Sequence, residues 1–189
     1  MFQKNPIIRP ALVTAALLLI PLVAMQFDNG VDWSPFDFLV AGLLLFGTGL
    51  AYELVSRKMT GVVYRAAVGL ALFTTLVLIW ANLAVGLIGS ENNPANQMYV
   101  GVIVVELIGV CLARFRAGGM AIALFATALA QALVAVIALL AGEQFKPGIT
   151  VPEIININAF FVALFAGAAL LFRHAAAGSS VRQTSSVRS

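Results

Sequence analysis

An all-α membrane protein with six transmembrane helices is the fold class this sequence predicts, and three observations carry it. Hydrophobic residues make up 61% of the 189 and charged residues 10%. The mean hydropathy of +1.01 then means more apolar surface than a soluble domain of this length can hide. Six apolar stretches, at 7–27, 36–55, 64–89, 96–114, 120–141 and 155–172, each approach the roughly 20 residues a helix needs to cross about 30 Å of hydrocarbon. They are apolar all round and rich in strong helix formers, as in "AIALFATALAQALVAVIALL", whereas spanning strands would alternate polar and apolar residues. Lipid offers the backbone no hydrogen-bond partner, so helices must satisfy it internally. The expected organisation is one six-helix domain, residues 1–174, with a flexible cytoplasmic tail over 175–189 whose "GSSVRQTSSVRS" is Ser-rich and basic.

The first stretch follows Lys4 and Arg9, an arrangement that also fits a secretory signal. No small-x-small cleavage site follows cleanly, so a retained helix is expected. Pro21 inside it removes a backbone donor and is a candidate kink. The second stretch opens on Ser34-Pro35 with Asp37 three residues after the serine, the order of an N-cap with proline at the first helical position. Near its other end Glu53 and Arg57 stand at i,i+4, the spacing of an ion pair with snorkelling side chains. The third stretch closes on "WANLAVGLIG". The fourth opens on Asn93-Pro94, and the sixth on Thr150 with Glu153 in capping-box spacing.

Asn93-Pro94-Ala95 is also the tripeptide that marks the pore of water channels. Those carry two such boxes, each opening a half-helix within the membrane. This chain has one, between stretches three and four, and it reads as a helix cap. The near-equal spacing of Pro35, Pro94 and Pro152 admits three tandem helical hairpins; evenly sized helices give the same spacing without a repeat.

Orientation follows from the cations. Lys4, Arg9, Arg57, Lys58, Arg65, Arg114, Arg116, Arg173, Arg182 and Arg188 fall on the terminal side, and of the eleven Lys and Arg residues only Lys146 falls opposite. Such a bias places both termini in the cytoplasm. Asp28, Asp32, Asp37, Glu91, Glu143 and Glu153 then face the other compartment, with Phe27, Trp33 and Tyr99 near that boundary, where amphipathic rings prefer to sit.

Three residues are costly to place in lipid: Glu106 midway along the fourth stretch, Gln131 midway along the fifth, and Asn82 in the third. An ionised group at that depth costs a few kcal/mol, so Glu106 is expected to face protein or water. If the three converge, they form an intramembrane polar site at which Glu106 could load a proton or cation. If they do not, Glu106 is a hydrogen-bonded contact between helices. Small residues at four-residue spacing, Ala159/Ala163/Gly167, Ala126/Ala130, Ala138/Gly142 and Gly47/Ala51, are candidate close-packing stripes, within the chain or between copies.

Catalysis finds no motif: there is no G-x-S-x-G elbow, H-E-x-x-H or Walker loop. One cysteine, Cys111, and one histidine, His174, build neither a disulfide nor a His-rich metal site. No metal, cofactor or enzymatic activity is expected. The net charge of +3 is scattered rather than gathered into a basic face, which argues against nucleic acid. The strings "FGTGLAYEL", "WANLAVGLIGSENNPAN" and "ALFATALAQALVAVIAL" resemble those of a group of small bacterial integral membrane proteins with no established activity. The resemblance implies a bacterial inner-membrane location and transfers no functional residue. Two functions are consistent with all this. One is a non-enzymatic structural or accessory membrane component, with the bilayer and a homo-oligomer or membrane-complex partner as its contacts. The other is a small proton- or cation-coupled transporter or channel working through Glu106.

Overall fold

A computed structural model describes the backbone of residues 5–27, 32–58 and 61–186. Lys4, Asp28 and Arg188 of the charge pattern and residues 187–189 of the expected tail lie outside the described residues, as do the side chains of Lys58 and Arg182. The described chain is all-helical: α1 (Ile8–Ala24), α2 (Pro35–Lys58), α3 (Val62–Ala84), α4 (Met98–Ala113), α5 (Ala117–Leu140) and α6 (Val151–Ser186), with short 3-10 turns at Pro94–Gln97 and Glu143–Phe145. Five of these helices are long and apolar enough to cross a membrane, the fourth with its leading 3-10 turn included; α1, with 17 residues, is shorter. The protein is read as membrane-embedded on that ground. The helical backbone of α6 continues to Ser186, into the segment expected as a tail.

The chain divides into two compact units, Met1–Met59 and Thr60–Ser189. In the first, α1 and α2 form a hairpin held by close contacts at two glycines: a Cβ on Gly49 would stand 3.2 Å from that of Pro10, and one on Gly42 3.5 Å from Leu18. Ser34 and Asp37 cap α2 reciprocally. The Asp37 amide donates to Ser34 Oγ at 3.2 Å, and the Ser34 amide donates to Asp37 Oδ2 at 2.8 Å. At the other end of α2, Arg57 Nε donates to Glu53 Oε1 at 2.9 Å.

In the second unit α6 lies between α3 and α5, α5 lies between α6 and α4, and α3 and α4 meet only briefly. Each helix turns inward a ladder with three- and four-residue steps: Tyr64, Ala67, Val68, Ala71, Thr74 and Leu78 of α3, and Tyr99, Val102, Glu106 and Ala113 of α4. Phe161, Phe165 and Phe172 of α6, with Tyr99 of α4, are the bulkiest fully buried side chains of this core. The tightest approach of two helices at a glycine is at Gly109, where a Cβ would stand 2.8 Å from that of Ala123. The inward stripe of α6 is therefore aromatic. Ala159 and Ala163 of the small-residue stripe are exposed, and so is Ala126 of α5.

A second helix end departs from expectation. The apolar run to residue 89 predicts helix, yet α3 stops at Ala84. Gly86 and Gly89 take φ of +73°, which only glycine adopts without strain. Leu87 and Ile88 are buried in a loop rather than in a helix. Their amides are satisfied by the Asn96 side chain of the following 3-10 turn.

Candidate functional site

At the end of the second unit formed by residues 85–97 and 141–150, asparagines organise the backbone. Asn93 Oδ1 accepts from the Ala95 amide at 3.1 Å, capping the 3-10 turn that leads into α4. Its Nδ2 donates to Glu143 Oε2 at 2.8 Å, tying the α3–α4 loop to the α5–α6 loop. Asn96 Oδ1 accepts from the Leu87 and Ile88 amides at 3.0 and 2.9 Å, and its Nδ2 donates to the Ser90 carbonyl at 2.7 Å. The loop between α3 and α4 is thus folded around one buried amide. Both ends of the Asn-Pro-Ala-Asn string are used for structure. Lys146 Nζ donates to the other oxygen of Glu143 at 2.6 Å. These hydrogen bonds, that to Asn93 first, hold the Glu143 carboxyl below the ordinary glutamate range. Burial opposes them without reversing the shift. An open cleft of about 480 Å³ lies between residues 89–94 and 146–149, with Lys146 on its wall. At the start of α6 the Glu153 amide donates to Thr150 Oγ1 at 3.3 Å.

Glu106 and Gln131 occupy separate polar clusters deeper in the unit. Glu106 of α4 is 6% exposed, with both carboxyl oxygens 2.8 Å from Thr75 Oγ1 of α3. Thr75 Oγ1 also lies 2.9 Å from the Ala71 carbonyl. A hydroxyl has one proton to give. With an ionised Glu106, Thr75 donates to the carboxylate; with a protonated one, Glu106 donates to Thr75, which is then free to donate to Ala71. Thr74 and Thr127, by contrast, donate only to the carbonyls of Leu70 and Ala123 in their own helices.

Gln131 is completely buried and bonds to α6 and, through it, to α4. Its Nε2 donates to Asn158 Oδ1 at 2.9 Å, and Tyr99 Oη donates to the same oxygen at 3.2 Å. Asn158 Nδ2 donates back to the Ile154 carbonyl at 2.8 Å. Gln131 Oε1 is left without a hydrogen-bond partner. Asn82 stands apart from both clusters: its Nδ2 donates weakly, at 3.4 Å, to the Asn96 carbonyl. Glu106, Gln131 and Asn82 do not share a hydrogen-bonded site; each is held by a different partner.

Two residues of the second cluster escaped sequence reading. Asn158 lies in "IININAF" beside the exposed Asn156, and period alone does not choose between them. Tyr99, read as a boundary aromatic, is 1% exposed. Among the described residues no group of three His, Cys, Asp or Glu side chains is placed to hold a metal ion. Cys111 and His174 are exposed. Comparison of the chain with models of known protein families, with curated proteins and with solved structures finds no match.

Proposed function

We propose that this chain is a six-span, non-enzymatic accessory component of a bacterial inner membrane, with both termini in the cytoplasm. The cation bias supports the orientation. The sixth span requires α1 to cross as a helix of about 25 Å, which local bilayer thinning accommodates at modest cost. The observation that carries the functional reading is the engagement of Glu106, Gln131 and Tyr99 by side chains of neighbouring helices. Glu106 is engaged by Thr75, and Gln131 and Tyr99 by Asn158, each across a helix–helix contact. Groups used in this way fasten helices. Purification of the full chain in mild detergent should recover a stoichiometric partner or a defined homo-oligomer. Repeated recovery of a lone monomer sinks the proposal.

One observation favours a second reading, a proton-coupled transporter. The Thr75 hydroxyl sits between two alternative acceptors, so a proton can arrive at or leave Glu106 with only a hydroxyl rotation. On this reading Glu106→Gln abolishes proton-coupled uptake in proteoliposomes while the protein still folds. Unchanged coupled flux removes Glu106 from any such mechanism.

A further inference from the structure

The end of the second unit opposite the asparagine loops is built around the turn Arg114-Phe115-Arg116. Arg114 and Phe115 have φ of 48° and 59°, two successive non-glycine residues in the left-handed region. Each such residue costs on the order of 1 kcal/mol or more and persists only where its surroundings over-determine it. Tyr64 of α3 does so here. Its hydroxyl donates to the Phe115 carbonyl at 2.6 Å, and its ring meets that of Phe172 of α6 edge-on at 5.1 Å. One buried side chain thus gathers α3, the α4–α5 turn and α6.

Every point that Tyr64 gathers is next to an arginine. Arg65 follows it, Arg114 and Arg116 flank its acceptor, and Arg173 follows its ring partner; all four are exposed. No ion pair among the described residues engages them. The acids of this unit stand elsewhere: Glu91, Glu143 and Glu153 belong to the opposite end, and Glu106 lies mid-helix on Thr75. Between the two arginines of the turn, Phe115 is 43% exposed. Four uncompensated guanidinium groups around a fixed point, with an apolar ring among them, match the boundary between acyl chains and phosphates. Guanidinium forks suit phosphate oxygens.

We propose that Arg65, Arg114, Arg116 and Arg173 form a site for the phosphates of anionic phospholipid headgroups, with Phe115 seated at the acyl boundary. The site rests on the reading of the protein as membrane-embedded and not on whether it has a protein partner. Its test therefore stands apart from the search for one. The full chain in mild detergent is titrated with phosphatidylglycerol or with phosphatidylcholine of the same acyl chains, and bound lipid is counted by native mass spectrometry.

Phosphatidylglycerol should be retained over phosphatidylcholine. Arg116→Gln should weaken its retention about fivefold and Arg114→Gln/Arg116→Gln about twenty-fivefold, from the usual contribution of one arginine near an anionic surface. Lys146→Gln, the same charge change at the other end, should leave retention unaltered. Equal retention of the two lipids overturns the proposal, as does a Lys146→Gln loss equal to that of Arg116→Gln, which would make net charge the cause. Displacement of the lipid by an equal concentration of inorganic phosphate overturns it too, since a free anion would then be the ligand. Circular dichroism checks folding. If the turn variant fails to fold, Arg65→Gln/Arg173→Gln, outside the strained turn, carries the same expected loss, and its absence counts against the site.

Discussion

The two ends of the four-helix unit use polar side chains in opposite ways. At the asparagine end, amides and a carboxylate are turned onto the protein itself: Asn96 holds the α3–α4 loop, and Asn93 and Lys146 share the two oxygens of Glu143. At the arginine end a single tyrosine hydroxyl holds a left-handed turn, and four guanidinium groups have no acid partner among the described residues. An end that must close an irregular loop over buried backbone needs its polar groups for that closure. An end that turns tightly with little irregular backbone can leave its charges for an outside partner. The contrast predicts that stability is concentrated at the first end.

The largest expected effect comes from breaking the asparagine end at its centre. Asn96→Ala leaves the amides of Leu87 and Ile88, both buried residues, without acceptors. Two orphaned donors and a lost donor to Ser90 should lower stability by about 3 kcal/mol. Asn96→Asp retains the acceptor for the two amides but loses the donor to the Ser90 carbonyl, and should recover only part of that loss. Thermal unfolding in detergent measures both. An alanine variant as stable as the parent would mean that the loop does not depend on this side chain, and the contrast between the ends would fail.

Next in size is the tyrosine lock. Tyr64→Phe keeps the ring against Phe172 and removes only the hydrogen bond to the Phe115 carbonyl, which an exposed turn can offer to water instead. The expected loss in the same unfolding assay is about 1 kcal/mol. A loss matching that of Asn96→Ala would show the arginine end to be as demanding as the other.

How much of this was legible beforehand differs by kind of information. The apolar runs marked six helices, of which five are long and apolar enough to cross a membrane, because length and hydropathy are one-dimensional properties. Helix faces were not legible: a helix apolar on all sides carries no amphipathic signal of which stripe turns inward. The small-residue stripe of α6 was therefore legible as a packing candidate, but not that Phe161, Phe165 and Phe172 form the stripe turned inward within the chain. Glu106 and Gln131 stood out because each is costly in lipid, whereas their partners did not. Thr75 resembles any helix threonine that bonds its own backbone, and Asn158 differs from Asn156 only in facing inward. The end of α3 was missed because Leu87 and Ile88 extend the apolar run. The residue that makes a buried loop possible there, Asn96, comes after it in sequence.

The smallest effect concerns Glu143, and its sign separates a satisfied carboxylate from an incidental one. Hydrogen bonds from Asn93 and Lys146 stabilise the ionised form in the folded protein, so the folded pKa lies below the unfolded one. Their contribution is fully present above the unfolded value, about 4.3 for a glutamate. It is lost as pH falls through the lowered folded value. Melting temperature against pH, compared between the parent and Glu143→Gln, should therefore show a constant gap at neutral pH that narrows below about pH 5. Glu106 is common to both proteins, so its titration cancels in the difference. Because Lys146 is 50% exposed, added salt should shrink its share of the gap while leaving that of Asn93. A gap that stays level into acid would mean that the Glu143 charge contributes nothing to joining the two loops, and that the Asn93 amide would hold a neutral acceptor equally well.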